Sequence, residues 1–266
     1  MASEQNYIEI NKRSWNERTE WHFKSDFYDV DGFLKGNTSL KPIELELLGN
    51  LKGKRLLHLQ CHFGQDTISL ARLGAHATGI DLSDKAIAKA KELAGKTNSE
   101  ATFICCDIYD LPNHLSGAFD VVFTSYGVIG WLPDLDRWAK IVSGFLKTNG
   151  KFVFVEFHPV VWMFDDDFSK IAYNYFNAGA IKETEDGTYA DKNAGIKTNT
   201  ITWNHSMGEV FQSLVANGLE VVSLKEYDYS PYDCFQKTIA KEPDKFIIGP
   251  LDGKIPMVYS IVAVKK

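Results

Sequence analysis

The sequence predicts an α/β fold in which helices cover both faces of a doubly wound, mostly parallel sheet. Short apolar runs rich in β-forming residues recur along the chain, as expected for strands buried on both faces. Amphipathic segments with helical spacing lie between these runs. Such regular alternation is typical of parallel strands joined by helical crossovers.

Seven segments have the composition of strands in such a sheet. They are 54–60, 76–81, 101–107, 118–126, 151–159, 219–227 and 257–266. Helices are predicted between them, over 64–75, 83–95, 133–150 and 206–218. The second helix begins at the cap residue Ser83, and the third stops near Gly150. Ser206 and Glu209 form a capping box at the start of the fourth.

Some parts of the chain do not follow this alternation. Residues 1–50 are rich in aromatic side chains and are predicted to form a helical cap segment, whereas 51–266 form the main domain. The main domain has an aromatic, irregular insertion at about 160–203 and a second insertion at about 228–256. Ligands of doubly wound sheets bind beyond the carboxyl ends of the strands. We therefore expect the first insertion to close over that edge as a small aromatic cap.

Charge and composition limit the classes of partner. The 266 residues have a formal net charge of −6 and no cluster of Lys and Arg, which disfavours a nucleic-acid substrate. No apolar stretch approaches the roughly 20 residues of a membrane span, and no signal peptide is expected. The four cysteines have no C-x-x-C spacing. We expect a cytoplasmic protein with reduced thiols and no membrane partner, and the sequence does not indicate its oligomeric state.

The stretch 56–67, LLHLQCHFGQDT, has the pattern of a buried strand, a tight turn and a helix. Its His58, Cys61 and His62 are residue types that bind metals. A zinc site needs three or four converging ligands, however, and no second spaced pair is nearby, so no metal is expected. A dinucleotide is disfavoured too, because its pyrophosphate requires G-x-G-x-x-G and only Gly64 is present here.

A ligand without phosphates relaxes the demand for glycines. At 57–64 the chain reads LHLQCHFG, which resembles the first motif of the class I S-adenosylmethionine-dependent methyltransferases, usually LDLGCGxG. Cys61 and Gly64 match this motif. At the other positions His58 replaces an acid, and Gln60 and His62 replace glycines.

This resemblance covers most of 54–160 and continues more loosely to the C-terminus, and the variant turn resembles that of uncharacterised bacterial members of the family. It implies a Rossmann-like sheet of seven strands whose last strand is antiparallel. It also implies S-adenosylmethionine as cofactor and S-adenosylhomocysteine as its product.

The resemblance assigns the cofactor-binding residues. Asp81, 17 residues after Gly64, would bind both ribose hydroxyls, since two carboxylate oxygens can accept hydrogen bonds from a vicinal diol. Asp107, after the third strand, would accept a hydrogen bond from the adenine amino group. Taken singly, either aspartate could instead be a helix cap or a loop residue. The other cofactor contacts implied are Gln60, Cys61, His62, Gly64 and Gln65 in the turn, Leu82, Cys106 and Ile108 beside the adenine, and Ser125 and Tyr126 after the fourth strand.

Methyl transfer from a sulfonium mainly requires alignment of the nucleophile, the methyl group and the sulfur. It requires a base only if the nucleophile must lose a proton. His158, near the end of the fifth predicted strand, is a candidate base, or equally a polar residue that hydrogen-bonds a neighbouring loop. Five aromatic residues are candidates for an acceptor pocket or, alternatively, for the core of the cap: Trp15, Trp21, Tyr28, Tyr175 and Trp203.

These observations predict an S-adenosylmethionine-dependent methyltransferase that acts on a small-molecule acceptor. One alternative is a non-catalytic protein that binds S-adenosylmethionine or S-adenosylhomocysteine. A weaker alternative is a nicotinamide-dependent oxidoreductase, which the missing glycines oppose. The sequence does not identify the acceptor or the atom that is methylated.

Overall fold

The computed structural model describes residues 4–266. Its strands are β1 Arg55–Leu59, β2 His76–Asp81, β3 Thr102–Cys105, β4 Phe119–Ser125, β5 Leu146–Phe157, β6 Ile181–Asp186, β7 Lys197–Thr202, β8 Leu219–Tyr227, β9 Thr238–Glu242, β10 Lys245–Ile248 and β11 Val258–Lys265. Seven of them form a central sheet in the order β3–β2–β1–β4–β5–β11–β8. Strand β11 is antiparallel to both of its neighbours, and the other pairs in this sheet are parallel.

Each of the seven predicted strand segments overlaps one strand of the central sheet, so the predicted fold class is confirmed. Pairing places the carboxyl ends of neighbouring strands side by side: Leu59 of β1 pairs with Ile80 of β2, and Asp81 pairs with Cys105 of β3. The residues that follow these strands therefore meet at one edge of the sheet.

The helices are α1 Glu4–Lys24, α2 Val30–Leu34, α3 Pro42–Leu48, α4 Gln65–Arg72, α5 Asp84–Lys96, α6 Leu135–Phe145 and α7 Met207–Ala216. The predicted caps of α5 and α7 are present. The Oγ of Ser83 accepts a hydrogen bond from the Ala86 N–H at 3.0 Å. The Oγ of Ser206 accepts one from the Glu209 N–H at 3.1 Å.

Helix α6 is shorter than the sequence predicts. It ends at Phe145 rather than near Gly150, and β5 begins directly afterwards at Leu146. Leu146 pairs with Phe119 of β4 and is only 1% exposed. Burial of this apolar side chain in the sheet stabilises an extended backbone where the sequence pattern indicates more helix.

The first insertion is more regular than expected, because β6 and β7 form an antiparallel hairpin. Strand β7 packs on α1, where the Asn11 side chain donates a hydrogen bond to the Ile201 carbonyl at 2.8 Å and accepts one from the Ile201 N–H at 2.9 Å. The second insertion contains a hairpin of β9 and β10. Hydrogen bonds thus join the N-terminal segment to the first insertion, although 190 residues separate them.

Helices pack on both faces of the central sheet. On one face, Trp138 of α6 is fully buried together with Phe152 and Phe154 of β5. On the other face, Ile68 of α4 and Ile87 of α5 are buried. Within residues 4–266, no helix combines the length and the apolar composition needed to cross a membrane.

Candidate active site

A cavity of about 1370 Å³ lies at the carboxyl edge of the sheet, lined by residues of the N-terminal segment, the sheet and both insertions. Small-molecule pockets commonly have volumes of about 300–1,000 Å³, so this cavity has room for two ligands together. All of the residues that the resemblance assigns to the cofactor line it: Gln60, Cys61, His62, Gly64, Gln65, Asp81, Leu82, Cys106, Asp107, Ile108, Ser125 and Tyr126.

The turn after β1 keeps a backbone that usually requires glycine. Gln60 and His62, which replace motif glycines, have φ of 55° and 50°, and Gly64 has φ of 78°. Left-handed backbone is unfavourable for residues with a Cβ by about 1–2 kcal/mol each. The side chains offset part of this cost, because the Gln60 amide donates a hydrogen bond to the Val128 carbonyl at 2.8 Å and the His62 ring packs 5.2 Å from the Trp15 ring.

Gly64 itself has no room for a side chain. A Cβ atom there would lie 2.5 Å from a ring carbon of Phe103 and 2.9 Å from the Cβ of Ala90. The close approach of α4 and α5 to β3 therefore requires glycine at this position, independently of any ligand.

Asp81 lies at the tip of β2 and its carboxylate is anchored by backbone donors. One oxygen accepts a hydrogen bond from the His62 N–H and the other accepts one from the Ser83 N–H, both at 2.8 Å. Burial raises the pKa of Asp81 to about 6, although these backbone donors oppose the shift, so the group is mostly ionised at neutral pH. A carboxylate oxygen has two lone pairs, so each oxygen retains capacity for one further donor.

Asp107 is both a helix cap and a residue of the cavity wall. It caps the 3₁₀ segment Ile108–Asn113, because its Oδ1 accepts a hydrogen bond from the Tyr109 N–H at 2.6 Å, and it also lines the cavity. Burial is the main cause of its raised pKa. The neighbouring Cys106 and Ile108 are buried apolar surfaces on the same wall.

The turn after β4 is organised by Glu156, a residue that sequence reasoning missed. The Glu156 carboxylate accepts hydrogen bonds from the N–H groups of Gly127, Val128, Ile129 and Phe157. In this turn Tyr126 also has a left-handed backbone, with φ of 47°. An acid inside the apolar run FVFVEF is the sequence signal that would have indicated such a role.

A second group lies on α1, and sequence reasoning named only Trp15 of it. Asn11, Trp15, Arg18 and His22 share one helix face by their spacing. Arg18 is only 3% exposed and lines the cavity, and its guanidinium lies 5.5 Å from the Trp15 ring centroid. One terminal nitrogen is 3.0 Å from a carboxylate oxygen of Glu185 in β6. The Nε of Arg18 has no hydrogen-bond partner within the described part of the chain.

The imidazole of His62 meets that of His22, with Nε2 of His62 2.9 Å from Nδ1 of His22. Burial lowers the pKa of His22 to about 2 and that of His62 to about 3. Both rings are therefore neutral at physiological pH.

The candidate acceptor residues separate into two groups. Trp15, Tyr28 and Trp203 line the cavity, whereas Trp21 and Tyr175 do not. Trp21 is 36% exposed on the surface. The hydroxyl of Tyr175 instead accepts a hydrogen bond from the Met207 N–H at 3.2 Å, at the start of α7.

His158, the candidate base, does not line the cavity. Its Nε2 lies 2.9 Å from a carboxylate oxygen of Glu226 in β8, and its Nδ1 accepts a hydrogen bond from the Val160 N–H at 3.2 Å. Both ring nitrogens are thus engaged elsewhere. The geometry matches the strand-end interpretation of His158 rather than that of a base beside the acceptor.

His58, which replaces the acid of the first motif, hydrogen-bonds to α4. Nδ1 of His58 lies 2.8 Å from the Thr67 hydroxyl, and burial lowers the pKa of His58 to about 3. Across residues 4–266, no three or more His, Cys, Asp and Glu side chains are grouped so that they could hold a metal ion.

Comparisons with known proteins find similar methyltransferases. A family model described as a methyltransferase domain matches residues 57–154. An uncharacterized methyltransferase of Synechocystis sp. is 31% identical over 156 residues, which cover 57% of this chain and 70% of that protein. The ubiquinone biosynthesis O-methyltransferase of Idiomarina loihiensis is 29% identical over 134 residues, 49% of this chain and 55% of that protein. The chain thus spans about half the length of this second relative.

Solved structures share the fold at lower identity. An S-adenosylmethionine-dependent methyltransferase from Mesorhizobium loti has a TM-score of 0.58 at 20% identity, covering 87% of this chain and 100% of that one. The geranyl diphosphate C-methyltransferase from Streptomyces coelicolor, solved with S-adenosyl-L-homocysteine, has a TM-score of 0.61 at 16% identity and covers 98% of both chains. On the sequence match to the Synechocystis relative and the shared fold, this chain belongs to the class I S-adenosylmethionine-dependent methyltransferases, enzymes that use S-adenosylmethionine as methyl donor.

Proposed function

We propose that this protein transfers the methyl group of S-adenosylmethionine to a small-molecule acceptor bound in the same cavity. The observation that carries the proposal is the Asp81 carboxylate, which two backbone N–H groups orient at the cavity wall. Its remaining lone pairs suit a vicinal diol, such as the two ribose hydroxyls of an adenosine. The other strand-end residues would then surround the same nucleoside.

Further residues of this chain complete the cofactor site in this proposal. Asp107 would accept a hydrogen bond from the adenine amino group, with Leu82 and Ile108 against the ring. Arg18 would bind the carboxylate of the methionine end, because it is a buried cation with an unused Nε–H on the cavity wall. Charge-assisted hydrogen bonds of this kind are among the stronger ones in proteins.

The bound cofactor supplies an already activated methyl group on a sulfonium. The protein's task is therefore to hold the acceptor in line with the methyl–sulfur bond and to exclude water. Alignment of this kind contributes up to about 7–11 kcal/mol in well-oriented reactions. The two left-handed turns, after β1 and β4, are held by Gln60 and Glu156 and give the cavity wall a defined shape before any ligand enters.

A small acceptor is consistent with the size of the cavity and with the net charge of −6, which does not favour a nucleic acid. A cytoplasmic location forms part of the proposal, because the four cysteines are free thiols.

Calorimetric titration with S-adenosylmethionine and S-adenosylhomocysteine tests the cofactor site. We expect saturable binding to the wild type and a loss of about 1–3 kcal/mol, or about 5- to 150-fold, in Asp81→Ala, because buried polar groups lose their partner. Asp84→Ala is the matched control, since Asp84 is exposed at the start of α5 and does not line the cavity. Equal affinities of the wild type and Asp81→Ala would overturn the assignment of Asp81.

Release of S-adenosylhomocysteine in the presence of small-molecule extracts tests the transfer itself. A methyltransferase consumes the cofactor only when an acceptor is present. Saturable cofactor binding without turnover in any extract would instead support a binding protein.

A further inference from the structure

One wall of the cavity is built from four tyrosines and one acid, which we call the tyrosine pocket: Tyr28, Tyr126, Tyr189, Tyr232 and Asp66. The ring centroids of Tyr126 and Tyr232 lie 5.1 Å apart. The hydroxyls of Tyr28 and Tyr189 lie 2.5 Å apart and share a hydrogen bond. The ring of Phe27 bridges the two pairs, 5.5 Å from Tyr189 and 5.6 Å from Tyr232. The four tyrosines thus form one continuous surface through Phe27, and Asp66 acts electrostatically on Tyr28, Tyr126 and Tyr232.

The acid of this pocket, Asp66, makes no direct ion pair with any residue that the structure describes. Lys41 forms its ion pair with Asp244, at 2.8 Å, and lies over the Tyr232 ring at 5.0 Å, and its charge also acts on Asp66 from a greater distance. Asp66, in the first turn of α4, has a hydrogen bond to Ser39 and no ion pair within 4.0 Å in the described part of the chain. A carboxylate among aromatic rings suits binding of a positively charged group, because the faces of the rings also carry partial negative charge.

A buried acid behind Tyr126 adds to this character. The Tyr126 hydroxyl donates a hydrogen bond to Oε2 of Glu44 at 3.2 Å, and Glu44 is fully buried. Burial and the nearby Asp66 raise the pKa of Glu44 to about 8, so this group is largely neutral at pH 7. Burial also raises the pKa of Asp66, whereas its hydrogen bond with Ser39 and the charge of Lys41 favour the carboxylate. In its ionised form Asp66 favours a cationic over an anionic acceptor at this wall.

We propose that the tyrosine pocket binds the methyl acceptor as an amine that enters in its ammonium form, with its charge against Asp66 and the tyrosine rings. The inference rests on the proposed function and names the acceptor class for the same cavity. Tyr126 connects the proposed cofactor site to the tyrosine pocket, since it lies in the turn after β4 and its ring also packs against Tyr232.

The transfer step balances for a primary or secondary amine. The ammonium first loses one proton to the Asp66 carboxylate, which passes it to solvent. The nitrogen lone pair then attacks the methyl carbon, the carbon–nitrogen bond forms, and the methyl–sulfur bond breaks with its electron pair remaining on sulfur. The products are a methylated ammonium, neutral S-adenosylhomocysteine and the released proton.

Tetramethylammonium tests the cation site without an identified acceptor, and tert-butanol is a neutral probe of similar size. The protein is first saturated with S-adenosylhomocysteine, and each probe is titrated by NMR. We expect saturable binding of tetramethylammonium at least about tenfold tighter than that of tert-butanol, which corresponds to about 1.4 kcal/mol. Equal affinity of the two probes would overturn the inference.

Two variants and one control assign the binding to this wall. Asp66→Asn and Tyr232→Leu should each weaken tetramethylammonium binding about tenfold or more, whereas Asp252→Asn should not, because Asp252 is exposed and lies outside the cavity. All three should keep the wild-type affinity for S-adenosylhomocysteine, which also shows that they are folded. Unchanged tetramethylammonium binding in both Asp66→Asn and Tyr232→Leu would contradict the inference.

An acceptor screen makes the same comparison by activity. Small amines should support release of S-adenosylhomocysteine, and matched alcohols and carboxylates should not. Turnover with alcohols or carboxylates alone would overturn the amine assignment and leave the proposed methyltransferase function standing. A wild type that binds no S-adenosylhomocysteine would instead contradict the proposed function itself.

Discussion

The cofactor side of the cavity and the tyrosine pocket are built in different ways. On the cofactor side, backbone hydrogen bonds of the sheet set the positions, such as Cys61 N–H to the Ile80 carbonyl at 2.8 Å and Cys106 N–H to the Asp81 carbonyl at 3.0 Å. In the tyrosine pocket, side chains from distant parts of the chain meet, as in the bond between Tyr28 and Tyr189 across 161 residues.

This difference separates what the fold imposes from what the insertions add. The strand tips carry the donor and acceptor groups that suit a cofactor, and they cannot move without disturbing the sheet. Tyr28, Tyr189 and Tyr232 of the tyrosine pocket come from the N-terminal segment and the two insertions, so this part of the pocket can change its chemistry while the sheet stays the same. Variants on the cofactor side should therefore affect cofactor affinity and, where they touch the sheet, stability.

The largest effect is expected for Gly64→Ala. The new Cβ would collide with Phe103 and Ala90, and alanine is strained at a φ of 78°. We expect a loss of about 2–4 kcal/mol in the free energy of unfolding, measured by urea denaturation. Gly95→Ala is the control, since this helical glycine has open space around it, and it should stabilise the protein by up to about 1 kcal/mol. Similar stability of both variants would show that the turn after β1 is not rigidly held.

A smaller effect is expected for Arg18→Met, which keeps an apolar side chain against Trp15 but removes the buried charge. We expect the affinity for S-adenosylhomocysteine to fall about tenfold or more, because its carboxylate loses a charge-assisted hydrogen bond. Arg13→Met, on the exposed side of the same helix, should bind like the wild type. If both variants bind equally well, Arg18 does not contact the methionine end.

The smallest effect concerns pH. The pKa of Asp81 is raised to about 6 in the free protein, and hydroxyl donors favour the ionised form. Below pH 6 binding must release a proton from Asp81, so affinity for S-adenosylhomocysteine should fall about tenfold between pH 7.5 and pH 5. His22, His58 and His62 stay neutral over this range and contribute nothing.

The pH profile of Asp81→Ala gives the part of that decrease that does not depend on Asp81. The part due to Asp81 is the difference between the two pH profiles. Identical profiles for the wild type and Asp81→Ala would mean that the titration of Asp81 is not linked to cofactor binding.

The sequence predicts the sheet well, because each strand is a local apolar run and parallel pairing then brings the strand ends together. The position of Asp81 on the cavity wall follows from the same rule, since only strand order and direction are needed. The predicted length of α6 is wrong, because a tertiary contact, the pairing of Leu146 with β4, decides where the helix ends.

The tyrosine pocket could not be predicted in the same way. Nothing in the local sequence around Tyr232 or Asp66 shows that both line one cavity, since that depends on how the insertions pack. His158 shows the same limit, because its position at a strand end is visible in the sequence and its contact with Glu226 of β8 is not. The buried face of α1 could have been predicted from the sequence, since Arg18 has helical spacing to Trp15 and His22.

A crystal structure with bound S-adenosylhomocysteine tests the central claim most directly. The account predicts that both ribose hydroxyls lie within about 3 Å of the Asp81 carboxylate oxygens, with the adenine near Asp107. A nucleoside bound elsewhere in the molecule, or a ribose that makes no contact with Asp81, would contradict it.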